Sequence, residues 1–289
     1  MADDPFVTHR SLLFTVAYEM LGSAADAEDV VQETWLRWAA VDRAEVLAPR
    51  AYLVRIVTRL SLNRLRTLAR RREEYVGEWL PEPLLTSPDV ADDVEFAESV
   101  SIAMLTVLET LAPAERAVFV LREVFDMPYT DIASAIDKTP AAVRQIAHRA
   151  REHVAARRPR MRVDRSEREQ VVDRFTLALQ TGDLQALLDV LAPDVVLIAD
   201  GGGEVPAALE PVIGGEQVAS LLARLMSVAP DAVVGTTRLN GATALRVELY
   251  GELSTAVSVV VEGGRITRIY AMRNPHKLAR LGEEATLSR

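Results

Sequence analysis

The chain has 289 residues, 49% of them hydrophobic and 26% charged, which is enough apolar material for two or three small domains. It contains no cysteine, which excludes disulfides, thiolate nucleophiles and zinc–thiolate sites and fits a reducing cytoplasm. The opening residues, MADDPFVTHR, lack a basic segment followed by an apolar one, and no run approaches the ~18 apolar residues of a membrane span, so neither secretion nor membrane insertion is expected.

The net charge of −9 argues against a nucleic-acid partner until it is mapped along the chain. Residues 46–72 hold eight arginines and no acid; residues 73–98 hold nine acids and no base. Residues 144–162 are basic again, with Glu152 as the lone acid. Two basic blocks separated by an acidic stretch point to two nucleic-acid contacts made by separate modules.

Residues 6–77 read as all helix. Thr8 to Leu21 is apolar-periodic and ends at Gly22-Ser23. Residues 26–38, DAEDVVQETWLRW, open with acids suited to a helix N-terminus and carry Val30, Val31, Trp35 and Trp38 as their apolar set. A loop over 40–48 leads into a long helix from Pro49 to about Arg72. On that helix Arg55, Arg59, Asn63, Arg66 and Arg70 share one face, while Leu53, Ile56, Val57 and Leu60 share another. A mere surface helix would mix Glu with its Arg, so this face favours a polyanion.

Residues 78–98 contain three prolines and a cluster of acids and read as a linker. Trp79, Leu80, Leu84 and Leu85 are more apolar than a solvated tether requires, and are expected to dock on a neighbouring domain. Ser99–Leu111 and Pro113–Phe125 follow as amphipathic helices. Residues 129–154 then read as a helix-turn-helix: a short helix over Tyr129–Ile136, a turn at Asp137-Lys138, Thr139 as N-cap, and Pro140 at the first position of the second helix. Val143, Ala147, Ala150 and Val154 make its buried stripe. Arg144, Gln145, His148, Arg149 and Arg151 point elsewhere, with donors suited to phosphates and base edges. Arg157, Arg158, Arg160 and Arg162 extend the basic face.

Beyond about Arg165 the pattern changes to helices followed by strands. Ser166–Thr181 is a helix with a Ser166/Glu169 capping box, and a second helix runs to Leu191. Strands are expected at 194–199, 232–239, 244–249, 255–261 and 265–272, with a helix over 217–228 and a tight hairpin turn at Glu262-Gly263-Gly264. This order indicates an α+β domain built on a curved antiparallel meander.

Residues 26–38 and 49–72, LAPAERAVFVLREV at 111–124 and the helix-turn-helix together resemble extracytoplasmic-function (ECF) sigma factors, which consist of sigma regions 2 and 4. The remainder resembles the SnoaL-like α+β cone. The pairing marks a subfamily with a WLPEP linker, a DGGG turn and an NPDKL tail. Trp79-Leu80-Pro81-Glu82-Pro83 and Asp200-Gly201-Gly202-Gly203 match; the tail reads Asn274-Pro275-His276-Lys277-Leu278, with His for Asp, and Asn63 stands where the subfamily favours Asp. The implied fold is multidomain: two all-α sigma modules (1–77 and 99–162) joined by the linker 78–98, then an α+β cone over 166–280.

That resemblance implies a bacterial alternative sigma factor whose partners are core RNA polymerase and promoter DNA, with no membrane partner. It would place Asp26, Asp29, Gln32 and Glu33 against the polymerase, although helix capping explains the first acids as well. It further implies that the 41–47 loop accepts a flipped base of the −10 element and that Arg55, Arg59, Asn63, Arg66 and Arg70 follow the −10 backbone. Arg144, Gln145, His148, Arg149 and Arg151 would read the −35 groove. The cone would regulate the factor without a separate anti-sigma protein, through Trp79, Leu80, Pro81, Asp200, Gly201, Gly202, Gly203, Asn274 and Pro275 at an interdomain seam.

No cofactor or metal is expected, and a small ligand in the cone is left open. Two rivals are a one-component DNA-binding regulator, which leaves residues 26–72 unexplained, and an enzyme in the cone. For the enzyme, Asp200 is the one attractive carboxylate, but before three glycines it reads as a turn former that Asn could replace with little effect. Glu248 and Tyr250 are the other candidate pocket liners. Truncation after Met272 is expected to alter transcription while leaving DNA binding intact.

Overall fold

A computed structural model describes residues 4–73, 75–87, 89–90, 93–157 and 165–289. Arg158, Arg160 and Arg162 of the basic tail lie outside them, as does the side chain of Arg70. The chain divides into two units, and neither is a simple stretch of sequence. One gathers residues 1–74, 104–158 and 286–289; the other gathers 75–103 and 159–285. Most of the two helical segments assigned to separate modules by sequence therefore falls in one unit, while residues 99–103 and the linker belong to the unit that holds the cone.

In the first unit, α1 (Pro5–Leu21) is capped by Asp4, whose carboxylate accepts from the Phe6 N–H at 3.0 Å and from the Trp38 indole at 2.9 Å. Gly22 ends it in the left-handed conformation, where a Cβ would be strained. Helix α2 (Ala24–Ala39) starts at the N-cap Ser23 and returns against α1. Its Val30, Val31 and Trp38 are buried, but Trp35, expected in the same apolar set, is exposed. Helix α3 (Pro49–Glu73) follows a loop that holds one 3-10 turn, at Arg43–Glu45.

Three further helices precede the helix-turn-helix in place of the continuous pair expected. The segment 99–111 is broken at Val100-Ser101, leaving α4 (Val94–Ser99) and α5 (Ile102–Glu109). The next helix, α6 (Pro113–Phe119), passes into a π-helical turn over Val120–Val124. Helix α7 (Tyr129–Ile136) ends on Asp137 at φ 56°, and α8 (Pro140–Arg157) begins where the Thr139 hydroxyl accepts from the Ala142 N–H at 3.2 Å. The stripe Val143, Ala147, Ala150 and Val154 is buried.

An arginine secures this unit internally. Arg116, 3% exposed, meets Glu109 through both oxygens at 2.8 and 2.9 Å and donates to the Met20 carbonyl at the end of α1 at 2.8 Å. Burial draws its guanidinium down to about 10, still cationic at neutral pH.

In the second unit, α9 (Arg165–Thr181) starts one residue before the expected capping box, and Glu169 pairs with Arg165 at 3.2 Å. Helix α10 (Leu184–Val190), capped by Asp183, leads directly into strand β2 (Leu191–Asp200), which begins three residues earlier than the sequence indicates. The sheet order is β3-β2-β7-β6-β5-β4-β1-β8, where β1 is Leu85–Thr86, β3 Val212–Ile213, β4 Val233–Leu239, β5 Ala242–Leu249, β6 Glu252–Glu262, β7 Arg265–Met272 and β8 Glu284–Ala285. Strands β4 to β7 form the expected antiparallel meander, but β2 pairs with β7 in parallel, so the sheet is mixed.

Both faces of this sheet are covered. Phe175 and Ala178 of α9, Leu187 of α10 and Val218 of α11 (Gly215–Val228) pack on Leu197, Leu245, Val261 and Ile269. On the opposite face Leu80, Ile102 and Leu278 pack on Ala256, Val260, Tyr270 and Met272. The linker is thus no free tether. Residues 81–84 are buried, and Leu85 pairs with Leu239 as an added strand. Among the described residues no helix is long and apolar enough to cross a membrane.

Arg116→Met should lower the stability of the first unit by about 3–5 kcal/mol, because it strands a mostly buried carboxylate. Adding Glu109→Leu should recover most of the loss. Chemical denaturation followed through Trp35 and Trp38 fluorescence checks this, and a single variant as stable as the parent would refute the pairing.

Candidate functional site

The polar face of α8 is presented as the spacing indicates. Arg144, Gln145, His148, Arg149 and Arg151 are all exposed, opposite the buried stripe. Arg144 lies over the Tyr129 ring at 5.6 Å, Arg151 meets Glu123 at 3.1 Å, and Arg149 is 3.8 Å from Glu115. The first is a cation–π contact and the other two are ion pairs whose arginines are exposed, so all three cations remain available to an outside anion.

On α3 the arginine face is less uniform. Arg66 is exposed and donates to the Asn63 side-chain amide oxygen at 3.0 Å, while Arg55 lies over the Tyr52 ring at 5.1 Å. Arg59 is engaged within the unit, where it donates to the Ala135 and Ser134 carbonyls at 3.1 and 3.0 Å, at the end of α7. Those carbonyls are the unsatisfied ones of a helix C-terminus, where a cation is favoured. On α2, Asp26 and Asp29 both face Arg64, and Glu33 pairs with Arg37 at 2.7 Å. Gln32, Trp35 and Leu36 stay exposed, as does Leu47 in the 41–47 loop.

The densest polar constellation lies in the second unit and joins the linker to the cone. Asp200 ends β2 at 0% exposure. One of its oxygens accepts from the Tyr75 hydroxyl at 2.5 Å and the Gly202 N–H at 3.0 Å; the other accepts from the Leu80 N–H at 2.9 Å and the Lys277 ammonium at 2.6 Å. A carboxylate offers about four acceptor sites, and all four are used. Lys277 also donates to the Leu80 carbonyl at 2.5 Å and lies 4.0 Å from the centre of the Trp79 ring. Asn274 caps α12 (Pro275–Leu278) and donates to the Tyr75 hydroxyl at 2.8 Å.

The three glycines permit this closeness. A Cβ on Gly202 would come within 2.5 Å of the Asn274 amide, one on Gly203 within 3.2 Å of Val76, and one on Gly201 would collide with the Val205 carbonyl. Asp200 is therefore a turn former and an ion-pair partner at once. The expectation that Asn could replace it harmlessly is overturned, because Asn would leave Lys277 buried without a counter-charge. Tyr75 and Lys277 are the members that sequence reasoning missed as site residues. Pro275 is exposed, and His276, in place of the subfamily's Asp, makes an exposed contact to Glu204 at 2.7 Å. Burial, then the Asp200 contact, raises the Tyr75 phenol well above its ordinary range.

The cone also holds a cavity of about 630 Å³, open to solvent on one side and lined mainly by aliphatic side chains. Glu248 and Tyr250, expected as liners, are not among its walls; Tyr250 is 82% exposed in a hairpin turn. Asp200 and His276 do not line it either. Among the described residues no group of three or more metal-ligating side chains could hold a metal.

Residues 6–71 match the model of sigma-70 region 2, and residues 101–154 that of sigma-70 region 4. The chain is 36% identical over 286 residues to the ECF RNA polymerase sigma factor SigJ of Mycobacterium tuberculosis, covering 94% of this chain and 91% of that one. It is 32% identical over 280 residues to the probable ECF RNA polymerase sigma factor SigI of the same species, covering 96% and 94%. The crystal structure of M. tuberculosis SigJ superposes with a TM-score of 0.77 at 32% identity, over 95% of this chain and 97% of that one. The chain belongs to the ECF RNA polymerase sigma factors.

Two outcomes follow from the Asp200 constellation. Asp200→Asn should speed hydrogen exchange of the Leu80 amide by roughly two orders of magnitude, since breaking a buried pair costs several kcal/mol and each 1.4 is tenfold; unchanged protection would show that the clamp does not hold the linker. In the second, because the folded phenol of Tyr75 is raised above its unfolded value, its contribution is complete below the ordinary phenol range and is lost as pH rises through the raised value. Ultraviolet titration of Tyr75→Phe should lose amplitude from the late-ionising tyrosines alone; loss from the early ones contradicts the assignment.

Proposed function

We propose that this sigma factor uses α8 to read the −35 element and α3 to follow the −10 strand, and that its C-terminal cone regulates it by holding the linker between those two modules. The −35 contacts are Arg144, Gln145, His148, Arg149 and Arg151; the −10 contacts are Arg55, Arg59, Asn63, Arg66 and Arg70. Asp26, Asp29, Gln32 and Glu33 face the polymerase, where the neighbouring exposed Trp35 and Leu36 supply apolar contact. Promoter binding then requires Arg59 to leave the α7 carbonyls. The protein works in the cytoplasm, where core polymerase is found, and needs no separate anti-sigma protein.

The observation that carries the regulatory reading is the capture of the linker. Leu80, at 1% exposure, and the Asp200–Lys277 pair fasten residues 75–103 to the same unit as the cone. A ligand-free enzyme reading finds less support, since the cavity walls carry no carboxylate or imidazole among the described residues.

Run-off transcription with purified core polymerase tests the whole. The wild type should direct specific initiation, and Lys277→Met should change transcript yield several-fold while promoter-fragment binding persists. This variant is preferable to truncation after Met272, which would also remove residues 286–289 of the first unit, where the Ser288 N–H donates to the Thr15 hydroxyl at 3.1 Å. Arg66→Ala should lower the salt slope of binding by about one unit, and Arg144→Ala should relax base preference by ~1–3 kcal/mol at one −35 position. If both change only overall affinity, α8 is not the recognition helix.

A further inference from the structure

The cavity of the cone differs from an ordinary packing defect in size and in its charge. At about 630 Å³ it falls within the range of small-molecule sites, whereas packed interiors rarely leave voids larger than a water molecule. Phe175 of α9, Leu222 and Met226 of α11, and Leu197, Val257 and Ile269 of the sheet form its walls. Leu225 and Val228, which also line it, are exposed and mark where it opens to solvent.

The polar liners are few: Ser254, Thr255, the exposed Arg224 and the half-buried Arg273. Arg273 follows the last residue of β7. Its side chain donates to the Pro206 carbonyl, and among the described residues no carboxylate pairs with it. Burial disfavours its charged form, as expected of a cation set against aliphatic walls without a counter-ion. A guanidinium has five donors in a planar fork, and one carbonyl leaves most of that fork for a second partner. The complement of this surface is an apolar body ending in one planar anion.

We propose that the cone is a binding site for an apolar small molecule bearing a single carboxylate, with the carboxylate on Arg273 and the hydrocarbon against Leu197, Leu222, Val257 and Ile269. The molecule is held and not transformed. The site stands independently of the regulatory role given to the linker, because binding is read without transcription.

Isothermal titration of the full chain with decanoate, naphthoate and decanol tests this. At least one of the two carboxylates should bind saturably at one per chain, about tenfold tighter than decanol. Arg273→Gln should bring the carboxylate down to the affinity of decanol and leave decanol unchanged. Leu222→Trp, which fills the cavity, should abolish binding of all three; Ala271→Val is the milder filling variant if the first fails to fold, judged by circular dichroism. Saturable binding of neither carboxylate by the wild type overturns the proposal. So does carboxylate binding indifferent to Arg273→Gln, or to a filling variant that keeps the parental melting temperature.

Discussion

A carboxylate withdrawn wholly from water is tolerated only where its charge is matched and its lone pairs are filled. Asp200 meets that condition with four donors: Tyr75 just before the linker, Leu80 within it, Gly202 from its own turn, and Lys277 from the tail. The parallel pairing of β2 with β7 sets Asp200 beside Met272, so the strand carrying the acid ends level with the strand that leads into the tail. The Arg273 N–H donates to the Asp200 carbonyl at 2.7 Å, which fixes the start of that tail. The same residue that lines the cavity with its side chain therefore supports the clamp with its backbone.

Much of this was legible in the sequence, and the limits have physical causes. The helix-turn-helix was readable because its signals are local: Thr139 and Pro140 start a helix, and the 4-3-4 spacing of Val143, Ala147, Ala150 and Val154 buries one side of it. The antiparallel meander was readable for the same reason. Strand β2 was taken to be part of that meander because its parallel partner lies some seventy residues away, and nothing local distinguishes the two arrangements. Strands β1, β3 and β8 have two residues each, too short for any periodicity.

The candidate site divides along the same line. The motif residues Trp79, Leu80, Asp200 and Asn274 were marked by resemblance; Lys277 stood within the tail motif but was given no role, and Tyr75, a lone tyrosine after two acids, has no pattern of its own. On α3 the absence of local acids was read as a face left for a polyanion. The fold gives one member of that face, Arg59, two carbonyls of α7, and gives Arg64, off that face, two acids of α2; these partners are remote in sequence. Periodicity shows which residues share a face; it cannot show what already occupies it.

The division of the chain into interleaved units has a consequence for how the molecule is made. Residues 75–103 leave the ribosome well before the strands they pair with, and residues 104–158, which belong to the other unit, are synthesised between them. Leu80 cannot find its place until Asp200 exists, and Asp200 has no counter-ion until Lys277 has emerged. Contacts of such long sequence separation form slowly, because the intervening chain must be closed into a loop first. During synthesis the helices of both sigma regions are therefore made while the linker between them is still unheld, and the clamp closes only once Lys277 is present.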